Sequence, residues 1–373
     1  MKYIHQSKVW PKFIWNTEAI SLLLGSVRNR QGRLLGRMGE LGFDLRREAI
    51  LKTLTEEIVK SSEIEGEILD HAKVRSSIAR KLGINVGGLI ASDRHTDGIV
   101  EMMLDATSNY LKPLTKSRLY GWHACLFPAG RSGMHKIKVA AWRNDKHGPM
   151  TVVSGPIGRQ KVHFEAPEAN RLNKEMSHFL KWYNSYSKID PVLKSAIAHL
   201  WFVTLHPFDD GNGRIARAIG EMQLARSDGS RDRFYSMSVQ IRHECTKYYK
   251  ILERTQKSQN ISEKGIDITP WLDWFLSSLN RALDMTESTL QDVLTKARFW
   301  KIHSSKKINK RQRMVVNKLF DSFEGKLTSS KWAKITKCSQ DTAIRDIQEL
   351  IKQGLLVKSS AGGRSTSYSL KLP

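Results

Sequence analysis

The apolar positions of this chain fall mostly at helical spacing. Ala49, Ile50, Leu54 and Ile58 share one face of a segment from Arg46 to Lys60. Residues 72–112 read as mostly helical with a break from Gly83 to Gly88, and Ile99, Met102, Met103 and Ala106 form a stripe expected to be core. Leu114–Leu126 and residues 168–186 predict two more helices. From Ala196 to Leu205 the apolar run is nearly unbroken, which predicts a buried helix that opens at Pro191 and stops at Pro207. Ile215–Ala225 predicts the helix after it, and others are expected over Tyr248–Gln256 and from Pro270 through Leu279 to Phe299. Residues 129–167 break the pattern. There Met150–Ser154 and Lys161–Phe164 flank Gly155-Pro156-Ile157-Gly158, a hairpin signal.

The ends of the chain differ from this body. Trp10, Pro11, Phe13 and Trp15 predict an ordered arm that packs on the body, and the Gly- and Arg-rich residues 26–40 predict a solvated helix–loop segment or a basic contact surface. Near the C-terminus, Val315–Phe320, Ser329–Ile335 and Ser339–Lys352 predict three short helices. Gly354–Val357 and Thr366–Leu370 follow as a two-strand tip. The fold class is therefore mainly α, with a small hairpin.

Length and charge change the picture in one respect. At 373 residues the chain fits two or three domains. Its net charge of +24 implies an acidic partner, nucleic acid first. From Lys301 to the end there are 16 Lys/Arg against 5 Asp/Glu. No run of 18 apolar residues predicts a membrane span, and the N-terminal residues lack a signal-peptide core. Cys125, Cys245 and Cys338 are scattered without metal or disulfide spacing. A cytoplasmic location, no membrane partner and no structural zinc are the expectations.

The candidate chemistry lies in His206-Pro207-Phe208-Asp209-Asp210-Gly211-Asn212-Gly213-Arg214-Ile215-Ala216-Arg217. It falls between two predicted helices, so its glycines sit at a loop-to-helix junction. Unpaired backbone N–H groups and the positive end of the helix dipole favour a phosphate there. Arg214 and Arg217 lie one turn apart and can fork onto phosphate oxygens. A neutral histidine accepts a hydroxyl proton near pH 7. His199, seven residues earlier, reads as a packed core histidine, since helical histidine pairs on one metal are spaced i, i+4.

This stretch resembles the signature of the Fic family, H-P-F-x-[DE]-G-N-G-R-x-x-R, at every defined position. Most such proteins transfer AMP from ATP to a hydroxyl of a target protein. The resemblance implies a Fic-type helical core, His206 as general base, Asp210 as magnesium ligand, and Gly211, Asn212 and Gly213 as the anion cradle. It implies Arg214 and Arg217 on the leaving pyrophosphate, and Tyr249 on the adenine side. Ser61, Glu65 and Gly66 match the family's inhibitory motif, [ST]-x-x-x-E-[GN], which implies that Glu65 reaches Arg217. One guanidinium cannot clamp both that carboxylate and a γ-phosphate. The hairpin at about 150–164 sits where the family carries its flap. Thr151, Val152, Val153 and Ser154 would then hold a target by strand addition. Arg143 follows Trp142 as in the family, with Ala141 where a glycine is usual. Many family members dimerise, so a homodimer is an expectation without interface residues.

The C-terminal pattern resembles a winged helix-turn-helix. It implies Gln340, Thr342 and Arg345 facing a groove and Arg364 in the wing, with DNA or a protein as the partner. The expected organisation is residues 1–110 as a helical region with the inhibitory motif at 61–66, then 111–300 as the catalytic core. A linker at 301–310 and a winged helix at 311–373 complete it. The leading reading is an autoinhibited protein adenylyltransferase. The alternatives are a DNA-binding regulator that uses the core as a nucleotide sensor, or a Fic enzyme that removes AMP or moves another phosphate-containing group.

Overall fold

A computed structural model describes the chain apart from residues 1, 41, 85–87, 147, 156–158, 258, 260, 321–322, 324, 360–365 and 373, and the side chains of 44, 287–294 and 297. The chain is mainly helical with short β-hairpins, and it divides into two compact units, Met1–Thr286 and Glu287–Pro373. The hairpin tip at 156–158 and Arg364 lie outside the described residues.

In chain order the first unit holds β1 (Phe13–Ile14), α1 (Thr17–Gly39), α2 (Phe43–Ile64), α3 (His71–Lys81), α4 (Arg94–Ser108) and α5 (Lys116–Leu126). Next come the strands β2 (Arg131–Ser132), β3 (His135–Lys136), β4 (Thr151–Ser154) and β5 (Lys161–Glu165). The helices α6 (Leu172–Asn184), α7 (Pro191–Leu205), α8 (Asn212–Asp228), α9 (Met237–His243) and α10 (Cys245–Gln256) follow. The strands β6 (Ile261–Ser262) and β7 (Gly265–Asp267) precede α11 (Thr269–Ile302).

Helices α7 and α8 form the centre of this unit. In α7 every residue from Val192 to Leu205 is buried. Asp190 caps its start by accepting the Val192 N–H at 2.8 Å, and Pro191 fills the first-turn position where its missing N–H loses nothing. The single charge, Lys194, sends its ammonium to the Ser185 carbonyl at 2.8 Å. Ser195 donates to the Gly220 carbonyl of α8 at 2.9 Å. Around this pair, α6 lies on α7, while α2, α4 and α5 lie on α8. Each large aliphatic or aromatic side chain buried here contributes roughly 1.5–3 kcal/mol.

Two elements differ from simple sequence expectation. Residues 26–40 continue α1 as helix, because Val27, Gln31, Leu34 and Met38 form a buried stripe that outweighs the glycines between them. The arm adds β1 to a three-stranded sheet, parallel to β7, which pairs antiparallel with β6. No local signal reports a partner about 250 residues away. The arm's Trp10 and Phe13 pack edge-on against Trp201.

The second unit contains α12 (Lys310–Phe320), α13 (Ser329–Thr336), α14 (Gln340–Lys352), β8 (Leu356–Lys358) and β9 (Tyr368–Leu370). Strands β8 and β9 pair antiparallel, and the Tyr368 N–H reaches the Leu327 carbonyl at 2.9 Å. Its core gathers Phe299, Val315, Val316, Trp332, Ile347 and Leu350. Residues 301–310 lie inside this unit, where Ile308 packs on that core. Asp346 is buried and paired with Arg311 at 2.9 Å.

Gly98 is where α4 meets α5: a Cβ there would stand 2.0 Å from the Cys125 carbonyl oxygen. Gly98→Ala is expected to push the helices apart and destabilise the first unit by about 1–3 kcal/mol, as overpacking does. Urea unfolding monitored by tryptophan fluorescence would show this as a lower midpoint.

Candidate active site

The turn between α7 and α8 reverses the chain on a left-handed residue that is not glycine. His206 ends α7 at φ 47°. Such backbone strain persists only where its surroundings hold it. Arg143 does so here: its Nε–H donates to the His206 carbonyl at 2.8 Å and its backbone N–H to the Pro207 carbonyl at 2.9 Å. Asp145 holds the same guanidinium at 2.7 Å. The His206 Nδ1 lies 3.1 Å from the Val203 carbonyl, which can only accept, so the proton sits on Nδ1 and Nε2 keeps its lone pair. Burial is the main cause that lowers the imidazole's pKa below 6.5, and nearby Arg143 adds to it.

The loop beyond is closed by Asn212. Its side-chain oxygen accepts the Phe208 N–H at 3.0 Å and its amide donates to the Phe208 carbonyl at 2.9 Å. Asn212 therefore shapes the cradle by bracing it from within. The Phe208 ring stacks on His123 at 4.2 Å between centroids. His123 accepts the Ala140 N–H on Nδ1 at 3.1 Å, so its Nε2–H donates to the Asp210 carbonyl at 3.2 Å. Burial drives the pKa of His123 down to about 4, which keeps it neutral. Asp209 is occupied by the Lys138 N–H at 2.8 Å. Asp210 accepts the Gly211 N–H at 2.6 Å, and the Ser132 hydroxyl meets its other oxygen.

Helix α8 then starts at Asn212. Its first internal bond runs from the Ile215 N–H to the Gly211 carbonyl at 3.0 Å. The N–H groups of Asn212, Gly213 and Arg214 therefore have no helical carbonyl to answer them. Gly211 has φ 79°, and a Cβ on it would stand 2.9 Å from the Phe127 ring, so glycine is required on two counts. A Cβ on Gly213 would stand 2.0 Å from Glu65 Oε1. A carboxylate thus lies against the cradle, in the place such a junction offers an anion.

That carboxylate comes from the end of α2. Arg217 is buried, and its Nε–H and Nη2–H donate to the Ser61 hydroxyl and carbonyl, both at 2.8 Å. Glu65 Oε1 lies 2.9 Å from Arg217 Nη1. That contact is an ion pair without hydrogen-bond alignment, since Nη1 has no hydrogen-bond partner among the described residues. Arg214 Nε is likewise buried without a partner. Glu65 thus takes the remaining end of the Arg217 guanidinium, while Arg214 keeps one donor for a further anion. The Tyr249 hydroxyl donates to the Ile64 carbonyl at 3.1 Å, so this tyrosine touches the end of α2.

The loop brings His206, Asp210, Gly211, Gly213, Arg214 and Arg217 together with Ser61 and Glu65. Among the described residues no cluster of three His, Cys, Asp or Glu is arranged to hold a metal. The donor set suits a magnesium ion held by the Asp210 carboxylate and by a ligand's phosphates, a common mode for that hard cation. Thr151, Val152, Val153 and Ser154 form β4, which pairs with β5 alone among the described residues, with a register shift between Val152 and Val153. Val153 and Val162 are exposed. In the second unit Gln340 donates to the Ser329 hydroxyl at 2.7 Å and Thr342 bonds Ser339 at 2.9 Å, while Arg345 is exposed.

Sequence reasoning marked Arg143 by its place after Trp142 without its bracing role, and it missed the parts played by His123, Ser132, Glu67 and His95. Only Glu67 left a usable signal, a second carboxylate just past Glu65 and Gly66.

Residues 113–224 match the Fic/DOC family, and residues 3–84 match a domain of unknown function, DUF4172. A protein of Aedes aegypti named protein adenylyltransferase Fic is 31% identical over 139 residues, 36% of this chain and 25% of that protein. The protein of that name from Drosophila persimilis is 29% identical over 161 residues, 39% of this chain and 30% of that protein. The chain thus spans about a quarter of the length of the first of these curated relatives. In fold it is similar to the crystal structure of a Fic family protein from Desulfovibrio desulfuricans G20, with a TM-score of 0.55 at 21% identity over 96% of this chain and 97% of that one. A Fic domain containing signaling protein from Bacteroides thetaiotaomicron gives 0.51 at 20% identity over 73% of this chain and 97% of that one. No helix among the described residues is long and apolar enough to cross a membrane.

Asn212→Ala leaves the Phe208 N–H and carbonyl unpaired in a buried loop. It is expected to lower the unfolding free energy by about 1–3 kcal/mol, read from urea denaturation. Proton titration of His206 by NMR is expected to place its pKa below 6.5; a value above that would contradict the desolvation of this partly buried ring.

Proposed function

On the premise of a Fic/DOC domain at residues 113–224, we propose that this chain is a protein adenylyltransferase. It moves AMP from ATP to a hydroxyl of a protein target and is held in check by Glu65. The observation that carries the reading is the Glu65 carboxylate lying against Gly213 and on Arg217, where the unpaired N–H groups at the start of α8 favour an anion. A carboxylate held at that point competes with any incoming phosphate for the same N–H groups and guanidinium.

In the proposed reaction His206 Nε2 takes the proton from the target hydroxyl. The hydroxyl oxygen forms a bond to the α-phosphorus as the bond to the β-phosphate bridging oxygen breaks, and pyrophosphate leaves. Such transfer depends on positioning and charge neutralisation. The N–H groups at the start of α8 and the guanidiniums of Arg214 and Arg217 serve both. Magnesium, carried by Asp210 and the phosphates, would neutralise charge on the leaving group. Asn212, His123 and Arg143 keep the loop in shape, and β4 offers its edge at Thr151–Ser154 to an extended target segment. Tyr249 would meet the nucleotide only once the end of α2 has moved.

The same residues would serve removal of AMP, with Glu65 orienting a water, or transfer of another phosphate-bearing group. A separate reading concerns the second unit. Its basic excess and the exposed Arg345 near the start of α14 favour contact with DNA. A gel shift of the full chain that weakens with salt and with Arg345→Ala would support it. A cytoplasmic site of action and a homodimer belong to this proposal without residues of their own.

Wild type, Glu65→Gly and His206→Ala are to be incubated with α-labelled ATP, magnesium and lysate. Glu65→Gly is expected to label itself or a target above wild type. His206→Ala is expected to lose about 10²- to 10⁴-fold in rate, the scale of a general base. Equal labelling of wild type and Glu65→Gly would overturn the restraint, and no label in any lane would overturn the transfer.

A further inference from the structure

We propose that Glu67 is a second restraint on the phosphate site, clamping Arg214 as Glu65 clamps Arg217. The inference rests on the reading of this cradle as a nucleotide site, and it concerns a residue outside the resemblance described above.

The geometry starts at Gly66. Its φ of 80° lies in the left-handed region, and the turn is closed by Gly66 N–H to the Glu63 carbonyl at 3.1 Å and Glu67 N–H to the Ser62 carbonyl at 3.0 Å. This turn brings Glu67 back over the site, so that two carboxylates from one short segment meet two arginines spaced one helical turn apart on α8. Glu67 Oε2 lies 2.6 Å from Arg214 Nη1. The other oxygen, Oε1, is taken by His95 Nε2 from the first turn of α4. Arg214 is itself nearly buried, with its guanidinium 5.1 Å from the centre of the Phe127 ring. A flat cation held between an aromatic ring and a carboxylate has little freedom to turn toward a different anion.

The consequence for an incoming phosphate is electrostatic. A nucleotide that uses Arg214 has to displace Glu67 or share the guanidinium with it, and the uncancelled carboxylate repels the phosphates at short range. Glu65 and Glu67 differ in what they block. Glu65 lies against Gly213 in the cradle itself, so it governs the pose of the phosphates. Glu67 lies on the guanidinium beside the cradle, so it governs how strongly any polyphosphate is held. Movement of the segment 61–67 would free both arginines in one step.

The test uses the full-length chain and titration calorimetry with two probes, magnesium ATP and inorganic tripolyphosphate. Glu67→Gln keeps the shape and an acceptor for His95 but removes the charge. It is expected to tighten tripolyphosphate about tenfold, the scale of one partly buried charge pair, with a similar further gain in a Glu65→Gly background. His95→Gln, which loosens the other anchor of Glu67, is expected to move affinity the same way by less. A tripolyphosphate affinity that is unchanged or weaker in Glu67→Gln, while thermal unfolding shows an intact fold, would overturn the clamp. Tighter tripolyphosphate together with no labelling by ATP in any variant would uphold the clamp and count against the transferase reading alone.

Discussion

A guanidinium enclosed by protein has to be answered by an anion, because an unpaired charge in that setting is strongly disfavoured. Arg217 is 3% exposed on the face of α8 that packs toward α2, and the rest of the site follows from that placement. Ser61 satisfies two of its donors from the helix side, and Glu65 supplies the charge. The carboxylate is therefore part of how the first unit folds as well as, on the proposed reading, an obstacle to a ligand. A phosphate that replaced it would satisfy the same requirement. One electrostatic demand has two solutions, and the protein supplies the first from its own chain.

The second condition is rigidity in the loop. The left-handed His206, the internal brace of Asn212 and the stacking of Phe208 on His123 hold a short irregular stretch between two rigid helices. Arg143 serves this purpose from a distance in sequence, tying the His206-Pro207 turn to the segment that leads into the hairpin. The imidazole is kept neutral with its free nitrogen defined by the Val203 carbonyl. Flexible bases lose alignment, so the burial that lowers its pKa also fixes its direction.

Much of this was legible in the chain. The buried pair α7 and α8 follows from two apolar runs on either side of a proline and two glycines, and the motif between them marks the site. Glu65 was legible by resemblance, and its contact with Arg217 is present in the structure. Two kinds of feature were not legible. The pairing of β1 with β7 joins residues far apart and leaves no local pattern. The roles of His123, Arg143 and His95 depend on which surfaces meet, and single polar residues in helices or loops carry no mark of that. The glycines of α1 misled in the opposite sense, because tertiary burial of Val27, Leu34 and Met38 outweighs their low helix propensity.

The segment that carries Glu65 has a further property because it ends a core helix. Helix α2 packs on α3, α8 and α9, and its buried Glu57 accepts from Ser236 at 2.6 Å and from the Ser238 N–H at 3.0 Å. That anchors the body of α2, and its end beyond Ser61 is held as well: Ser62 and Ile64 are buried, and Tyr249 donates to the Ile64 carbonyl at 3.1 Å. Displacing Glu65 from Arg217 therefore also disturbs the buried Ile64 and its bond to Tyr249, so the ion pair is backed by packing as well as by charge.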